Sequence, residues 1–312
     1  MAKCEVETKI TKQRPKYYLS SKFPVVDGVH YFPGTTKEFL QQVKNLPLRG
    51  DEVIVATYPK AGNTWISEIV WQIFSDATVD MTPILQRVPF MESTKFFGTF
   101  ATNDEFIEHF LNKPYPRVFK THLQYPLVPM GGGGLQITPK CINVIRNPKD
   151  CAVSSYHHTK SWTYNEFDGS WDEYFEAFID GEVKFGSWFD HVLGWWAHRD
   201  DPNILILKYE EMKKELPSGV KQIAKFVGKD LSDETIQLIA KQTSFEAMSA
   251  GDGRFYDGDE GFMSIIKPNT PKFIRKGEVG DWKNYFTDEQ NRRYDVLYEK
   301  KMAGSGLELE FS

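Results

Sequence analysis

The chain of 312 residues has 40% hydrophobic and 26% charged residues, an ordinary globular composition that excludes an extensively disordered protein. Its net charge of −5 argues against a nucleic-acid partner, although a local basic pocket for a small anion is compatible with it. Three cysteines are too few for a disulfide framework and favour a reducing compartment, so the expected location is the cytoplasm. Neither a signal peptide nor a membrane-spanning run is recognisable, so no membrane partner is expected.

The first third of the chain predicts a covering segment, a helix, a buried strand and a second helix. Residues 1–35 are rich in Pro, Tyr and Phe without a sustained period, which predicts an irregular segment that covers a pocket. A short amphipathic helix is predicted over 35–46. The apolar run 53–56 is typical of a strand buried on both faces. Apolar residues then recur with a helical period from Trp65 to Phe74, after Asn63 and Thr64, which are plausible N-caps.

The turn between this strand and this helix predicts an anion site. Gly62 allows close approach of the backbone, the N–H groups at the helix start are free, and Lys60, Asn63 and Thr64 add donors. The lysine precedes the glycine, so the pattern is P-loop-like but is not the nucleotide P-loop. A later strand ends at Arg146 instead of a magnesium-binding Asp. We therefore expect a phosphate-like ligand and no metal; the alternative is an ordinary turn with a surface lysine.

Two further strands carry polar residues at their ends. The strand predicted over 117–123 carries Lys120 and His122 at the edge where open α/β sheets bind ligands. The strand at 140–145 leads into Arg146 and a helix with Ser154 one turn inside, which indicates a second anion-binding junction. Between the first helix and these strands, the aromatic residues of 80–100 predict a loop that either packs or forms an apolar site wall. The four-glycine loop 131–134 is given no catalytic role.

The remaining pattern alternates helices with one more strand. Helices are predicted over 170–179 and 187–198, a strand over 203–207, helices over 220–227 and 232–242, and a last helix from Thr287 to about Met302. This alternation predicts an α/β fold over 1–312, a single domain with a central, mostly parallel β-sheet flanked by helices. Residues 243–272 predict a mobile loop over the site. Arg275, Lys276 and Gly277 then predict a second anion site, with a solvated basic surface as the alternative.

Taken together, these motifs resemble the cytosolic sulfotransferases, which use 3′-phosphoadenosine 5′-phosphosulfate (PAPS) as sulfuryl donor. The segment from Tyr58 to Trp65 is similar to their 5′-phosphosulfate loop, and the segment from Arg275 to Lys283 is similar to their 3′-phosphate segment. Between them the family's other motifs occur in its order and at similar spacing, so the resemblance covers essentially the whole chain.

The resemblance implies roles for individual residues. His122 would accept the proton of the acceptor hydroxyl, Lys60 would stabilise the leaving phosphate, Lys120 would support the same charge, and Ser154 would belong to the same catalytic group. The implied donor-binding residues are Lys60, Ala61, Gly62, Asn63, Thr64, Trp65, Arg146, Ser154, Tyr209, Thr243, Phe245, Phe273, Arg275, Lys276 and Gly277. The implied acceptor-binding residues are Phe23, Phe90, Phe96, Phe97, Tyr156, His158, Phe255 and Phe262, which suggest a small, flat, partly aromatic or steroid-like acceptor with a hydroxyl or an amine.

The chain departs from the family pattern at two places. Asn63 stands where a hydroxyl residue is usual, which predicts altered donor affinity. In the family's dimer segment a valine is replaced by Asp288 and a glutamate by Arg292, which predicts a monomer or a different dimer. A nucleotide kinase, a nucleotide-binding protein without turnover and an alcohol dehydratase of the same family are the alternative functions.

Overall fold

The computed structural model describes residues 23–92, 100–131, 137–165 and 167–312. Two short strands, β1 (Val25–Val26) and β2 (Val29–His30), form an antiparallel hairpin. The central sheet contains β3 (Glu52–Thr57), β4 (Arg117–Thr121), β5 (Lys140–Ile145) and β6 (Ile204–Lys208) in the order β4-β3-β5-β6. All neighbouring pairs in this sheet are parallel, so the predicted fold class is confirmed.

Helices flank the sheet and connect its strands. They are α1 (Lys37–Lys44), α2 (Asn63–Phe74), α3 (Ile84–Arg87), α4 (Asn103–Asn112), α5 (Pro148–Ser161), α6 (Trp171–Ile179), α7 (Trp188–Trp196), α8 (Tyr209–Lys214), α9 (Leu216–Phe226), α10 (Asp233–Gln242), α11 (Phe245–Ser249), α12 (Glu260–Ser264) and α13 (Asp288–Met302). Short 3-10 turns occur at Tyr125–Leu127, Tyr256–Gly258 and Asp281–Asn284. In the described part of the chain, no helix has both the length and the apolar character needed to cross a membrane.

Local sequence signals account for several element boundaries. All six residues of β3 are buried, as expected for a strand covered on both faces. Capping boxes open α6, with Ser170 and Glu173, and α13, with Thr287 and Gln290, because each pair satisfies two backbone N–H groups at the helix start. These two helix starts therefore lie where the sequence predicts them.

Three local predictions are wrong. Neither Asn63 nor Thr64 caps α2: Gly62 occupies the N-cap position in a left-handed conformation, without a side-chain cap. The 80–100 segment, predicted as loop only, contains α3. The predicted loop 243–272 contains α11, the Tyr256–Gly258 turn and α12, because Ser244 and Asp259 supply side-chain caps for very short helices. The mobility of this segment stays a prediction.

The register of the central sheet places the carboxyl ends of all four strands at one edge. Ala56 pairs with Thr121 and Ile145 pairs with Lys208, so adjacent strands end almost level. The first residues beyond these strands are Tyr58, His122, Arg146 and Tyr209. Functional side chains in open parallel sheets collect at this edge, and here the register brings four of them together.

A buried ion pair joins β3 and β4 at the amino-terminal ends of these strands. Arg117 and Glu52 are both inaccessible to solvent, and the Arg117 guanidinium lies 2.8 Å from the Glu52 carboxylate. Arg117 also donates to the backbone carbonyl oxygens of Phe110 and Lys113, at 2.7 and 3.1 Å. The pair therefore joins β3, β4 and the end of α4.

We expect Arg117→Met to lower the free energy of unfolding by roughly 3–5 kcal/mol, because it leaves the Glu52 carboxylate buried without its charged partner. Urea denaturation followed by circular dichroism measures this change. The matched control is Arg292→Met, which removes an arginine paired with Glu289 at the surface and should leave the unfolding midpoint unchanged. Equal midpoints for both variants would contradict the structural role of Arg117.

Candidate active site

A cavity of about 310 Å³ opens at the carboxyl edge of the central sheet. Most residues predicted as site residues line it, although they come from distant parts of the chain. The predicted residues in its lining are Lys60, Gly62, Asn63, Thr64, Trp65, Phe90, His122, Arg146, Ser154, His158, Tyr209, Thr243, Phe245, Phe262, Phe273, Arg275, Lys276 and Gly277.

Some of the predicted residues lie elsewhere. Ala61 and Lys120 are fully buried: Ala61 lies between Lys60 and Gly62 of the lining, and the Lys120 ammonium lies 3.5 Å from the hydroxyl of Tyr256, another lining residue. Tyr156 contacts the rings of Trp171 and Tyr174 instead of the cavity. Phe255 lines a separate cavity beside it. Phe23 is buried against Lys184, and Phe96 and Phe97 lie outside the described residues.

The loop between β3 and α2 has the backbone geometry of an anion cradle. Lys60 and Gly62 adopt positive φ angles of 68° and 110°, which turn the chain sharply before the helix. A Cβ atom at Gly62 would lie 3.1 Å from the Tyr209 ring, so a larger residue would crowd the loop. The first N–H groups of α2 have no carbonyl partner within the helix and point toward the loop. The strand, loop and helix therefore offer backbone donors to a negatively charged group.

The side chain of Asn63 is committed to the sheet. Its Nδ2 donates to Val55 O at 3.2 Å, to Thr57 Oγ1 at 3.3 Å and to Thr121 O at 3.3 Å. The amide thus ties the start of α2 to the ends of β3 and β4. Only the backbone N–H of Asn63 is left for a ligand, which differs from the expectation that its amide substitutes for a ligand-binding hydroxyl.

Two lysines lie over a pair of closely packed, tilted aromatic rings beside this loop. The Lys60 ammonium lies 3.7 Å from the centre of the Phe273 ring, which in turn lies 3.9 Å from the Tyr256 ring. The Lys120 ammonium lies 5.2 Å from the centre of the Tyr256 ring and 3.5 Å from the Tyr256 hydroxyl. Burial, together with neighbouring cations, lowers the pKa of Lys60 to about 7 and that of Lys120 to about 7. Both ammonium groups therefore lie against this pair of rings.

His122 is held in one tautomer at the end of β4. Its Nδ1 donates a hydrogen bond to Thr57 O at 2.8 Å. A carbonyl oxygen can only accept, so Nδ1 carries the proton and Nε2 keeps its lone pair. Burial lowers the pKa of His122 to about 3, so the imidazole is neutral near pH 7. The ring can therefore accept a proton at Nε2.

Glu92 is a supporting residue that sequence reasoning missed. Its carboxylate accepts the backbone N–H of His122 at 2.7 Å and the Thr121 hydroxyl at 2.8 Å. Burial raises the pKa of Glu92 to about 7. Nothing in the local pattern around 92 marks a functional carboxylate, because the contact depends on the position of the 88–92 segment against β4. The position of His122 is thus fixed by β3 through its ring and by Glu92 through its backbone.

Arg146 lies between the two predicted anion sites. It donates to Lys60 O at 3.1 Å and to Glu278 O at 2.9 Å, and its guanidinium carbon lies 4.3 Å from the Tyr209 ring centre. Its Nε is buried without a hydrogen-bond partner among the described residues. Arg146 therefore fixes the distance between the loop at 58–62 and the 275–278 segment.

The second predicted anion site contains an internal anion. Arg275 and Lys276 each donate to the Asp281 carboxylate at 2.6 Å, and Asn284 donates to it at 3.0 Å. These donors hold the pKa of Asp281 at about 2 although its burial acts in the opposite direction. Gly277 packs against Phe245, where a Cβ atom would lie only 2.3 Å from the ring. The cationic site is therefore assembled around Asp281, with no space for a side chain at 277.

One wall of the cavity is flat and aromatic beside these cations. Trp65 donates from its indole Nε1 to Thr243 O at 2.8 Å, and its ring lies 5.3 Å from that of Tyr209 in an edge-on arrangement. The Thr243 hydroxyl donates to Ile239 O within α10. Three of the donor-binding residues that the resemblance implies, Trp65, Tyr209 and Thr243, are thus adjacent.

The opposite wall is also aromatic but was largely missed. His122 contacts the rings of Phe90 and Phe185 at 5.1 and 5.2 Å between centroids. Phe32 lies between Phe90, Phe185 and Trp162, at 6.3, 5.1 and 5.6 Å. Trp162 and Phe185 carried no sequence signal because an isolated aromatic residue near a helix end usually packs in the core. His122 therefore lies against this aromatic wall, in the same cavity as the cations described above.

Among the described residues, no group of three or more His, Cys, Asp or Glu side chains is arranged to hold a metal ion.

Comparison with known proteins gives the class of protein that this fold and this site belong to. The sequence model of a family described as "Sulfotransferase domain" matches residues 50–306. The chain is 36% identical to human Sulfotransferase 1C2 over 289 residues, covering 92% of the chain and 94% of the relative. It is 38% identical to mouse Sulfotransferase 1B1 over 274 residues, covering 87% of the chain and 88% of the relative.

Solved structures agree. A mouse sulfotransferase complexed with PAP matches with a TM-score of 0.74 and 32% identity, covering 92% of this chain and 97% of the other. A retinol dehydratase complexed with androsterone and PAP matches with a TM-score of 0.78 and 27% identity, covering 94% of both chains. The chain belongs to the sulfotransferase family, which confirms the resemblance and the predicted class of enzyme.

We expect Asp281→Asn to lower the melting temperature at pH 7, because it removes the carboxylate that joins Arg275 and Lys276. The lowered pKa of Asp281 means that its contribution is present above the unfolded-state value of 3.8 and is lost as pH falls toward about 2. The difference between wild type and variant should therefore shrink as pH falls below about 4 in differential scanning calorimetry. Asp230→Asn, at an exposed position, is the control; a difference that is independent of pH would contradict the assignment.

Proposed function

We propose that this enzyme transfers the sulfuryl group of PAPS to a hydroxyl, or an amine, of a small, flat acceptor. The position of His122 is the observation that carries this proposal. This neutral base lies in one cavity with a group of cationic side chains suited to an anion and with an aromatic wall. The solved relatives that contain PAP support the same donor, because PAP is PAPS without its sulfuryl group. The alternative of a nucleotide kinase has no support from the family match.

The residues present fit the proposed donor. The Gly62 turn and the free N–H groups of α2 suit the 5′-phosphosulfate, and the unpaired Nε of Arg146 suits a phosphate oxygen. Arg275, Lys276 and the backbone at Gly277 suit the 3′-phosphate, with Ser154 nearby in the lining. Trp65 and Tyr209 suit the adenine by stacking. A 3′-phosphate held in this way would distinguish the donor from ATP-like nucleotides.

Catalysis would need a proton acceptor on one side of the sulfuryl group and a cation on the other. His122 would take the acceptor proton at Nε2 while its Nδ1 proton stays bonded to Thr57 O. The negative charge of a bound donor favours the imidazolium, so it would raise the pKa of His122 when the proton is transferred. Lys60, with Lys120 behind it, would neutralise charge that develops on the leaving phosphate oxygen. His122 and Lys60 are therefore the proposed catalytic residues.

The acceptor would lie against the aromatic wall formed by Phe32, Phe90, Trp162 and Phe185, with His158 and Phe262 completing it. These rings suit a flat apolar body such as a phenol or a steroid. The retinol dehydratase among the similar structures favours a second candidate, in which the sulfate ester then eliminates sulfate and a proton, so that the alcohol has lost the elements of water. Mass spectrometry of the product distinguishes a stable sulfate ester from a dehydrated compound. We place the enzyme in the cytoplasm, as its family resemblance implies.

Calorimetric titration with adenosine 3′,5′-bisphosphate and with ATP, both without magnesium, tests the donor site. We expect clear preference for the bisphosphate. We expect His122→Ala to reduce kcat by at least about 100-fold without loss of bisphosphate binding, since it removes only the base. Lys276→Ala should instead mainly weaken binding, since it removes a cation from the 3′-phosphate site.

The matched control for the catalytic variant is His198→Ala, which removes a histidine stacked on Tyr125 away from the cavity. It should leave both binding and turnover unchanged. Equal affinity for the two nucleotides would remove the 3′-phosphate site from the proposal. If His122→Ala and Lys276→Ala lost binding and turnover to the same extent, the assignment of His122 to catalysis and Lys276 to donor binding would be contradicted.

We further propose that the enzyme is a monomer or forms a dimer unlike that of the family. Asp288 and Arg292 are exposed in the segment that carries the family's dimer motif, and Arg292 pairs within its own helix with Glu289. A charged pair satisfied in this way is a poor replacement for an apolar contact between subunits. Sedimentation equilibrium should give a mass near 36.0 kDa, or twice this mass that persists when the 283–292 segment is mutated. Twice this mass, abolished by mutating the 283–292 segment, would refute the proposal.

A further inference from the structure

Lys184 is a buried lysine in the cavity that the proposed reaction does not use. It precedes α7, lines the cavity and is 8% exposed. Its Nζ lies 4.1 Å from the ring centre of Trp162, 5.3 Å from Phe23 and 6.0 Å from Phe32. The ammonium is thus surrounded by aromatic rings.

This ammonium has no polar partner within the described ranges 23–92, 100–131, 137–165 and 167–312. Its Nζ has no hydrogen bond there, and no carboxylate of those ranges forms an ion pair with it. Contacts with aromatic rings give roughly 0.5–2 kcal/mol each and do not replace the lost hydration of a buried ammonium. Burial accordingly lowers the pKa of Lys184 to about 7. Among the described residues no group completes the solvation of this ammonium, so it is open to a polar group of a ligand in the cavity.

The backbone that carries Lys184 is firmly held. Phe185 and Gly186, which follow it, have positive φ angles of 65° and 72°, the first of which is unfavourable for a phenylalanine. Phe185 N donates to His30 O at 2.8 Å, and the Tyr58 hydroxyl donates to Gly186 O at 2.9 Å. This segment therefore presents Lys184 and Phe185 to the cavity in a fixed position before any ligand binds.

Lys184 belongs to the acceptor wall. Its closest ring, Trp162, is stacked on Phe32, and the planes of the two rings differ by only 10°. Phe32 contacts Phe185, which contacts His122. An acceptor that lies along this wall with its hydroxyl at His122 would extend toward Lys184 with its other end. Arg275 and Lys276, by contrast, already share the Asp281 carboxylate as a partner.

We propose that Lys184 determines acceptor specificity by binding a carboxylate on the acceptor, so that the enzyme prefers aromatic hydroxy acids. The inference rests on the proposed function and names the acceptor class for the same site. A single ammonium within a ring of aromatic side chains matches a singly charged carboxylate attached to an apolar body. In the reaction the bond between sulfur and the phosphate oxygen breaks and a bond between sulfur and the acceptor hydroxyl oxygen forms. The hydroxyl proton passes to His122, and the carboxylate is unchanged.

The test compares two acceptors that differ only in the charged group, para-hydroxyphenylpropionate and para-propylphenol, with PAPS as donor. We expect the kcat/KM of wild type to be at least about 10-fold higher for the acid than for the phenol, because a charge-assisted hydrogen bond contributes binding energy of this size. Lys184→Met should remove this preference by lowering the value for the acid and leaving that for the phenol unchanged or higher. Titration of both acceptors into enzyme saturated with adenosine 3′,5′-bisphosphate gives the same comparison for binding alone.

Lys229→Met is the matched control. The Lys229 ammonium also lies over aromatic rings, those of Phe74 and Tyr115, but it is not in the lining of the cavity. It should leave the acceptor preference unchanged. Lys184→Met should fold, with a melting temperature at least as high as that of wild type, because it removes an unpaired buried ammonium. Lys184→Gln, which keeps a polar N–H but no charge, is the second variant and should lose the preference for the acid as well.

The outcomes separate the two proposals. No preference for the acid in wild type, or an equal effect of Lys184→Met on both acceptors, overturns the role of Lys184 even if sulfation occurs. Binding of the acid that depends on Lys184 without turnover of either acceptor supports the carboxylate site and contradicts the proposed reaction. If the acid is neither bound nor turned over, the inference about Lys184 is overturned directly.

Discussion

The site depends on one constraint: the four parallel strands of the central sheet end at nearly the same height. Ala56 pairs with Thr121 and Ile145 pairs with Lys208, so the chain leaves the sheet four times at the same edge. A shift of one residue in any pair would turn its side chains to the other face of the sheet and would move His122 or Arg146 out of the cavity. The Asn63 amide secures this arrangement, because it bonds to the ends of β3 and β4 at once. Register and loop geometry are thus fixed by the same contacts.

Within this frame the cavity has an excess of positive charge. Lys60, Lys120, Arg146 and Lys184 are held near aromatic rings, and the single Asp281 carboxylate, shared by Arg275 and Lys276, offsets only one of their two charges. Aromatic rings tolerate cations without neutralising them, so they keep the site attractive to anions. The net charge of −5 for the whole chain conceals this local excess. Selection of an anionic ligand is therefore a property of side-chain placement within the site.

Sequence reasoning succeeded where a local signal decides the structure. The buried run of β3, the capping boxes of α6 and α13 and the polar residues at strand ends could be predicted because each depends on neighbours in sequence. It failed where distant contacts override local preference. Asn63 has the chemistry of an N-cap, yet its amide is drawn to two strands. Lys184 has the sequence environment of a surface residue, and only the folded chain places it among Trp162, Phe23 and Phe32.

The aromatic enclosure of Lys60 and Lys120 has a consequence for the energetics of ligand binding. With pKa values of about 7, both amines are only partly protonated in the free enzyme at neutral pH. A multiply charged anion stabilises the protonated forms, so its arrival draws protons from the solvent. The heat of binding then contains the ionisation heat of the buffer, and affinity decreases as pH rises above neutrality. An anion that binds against these two amines therefore takes up protons with it, and the protons leave when the anion dissociates.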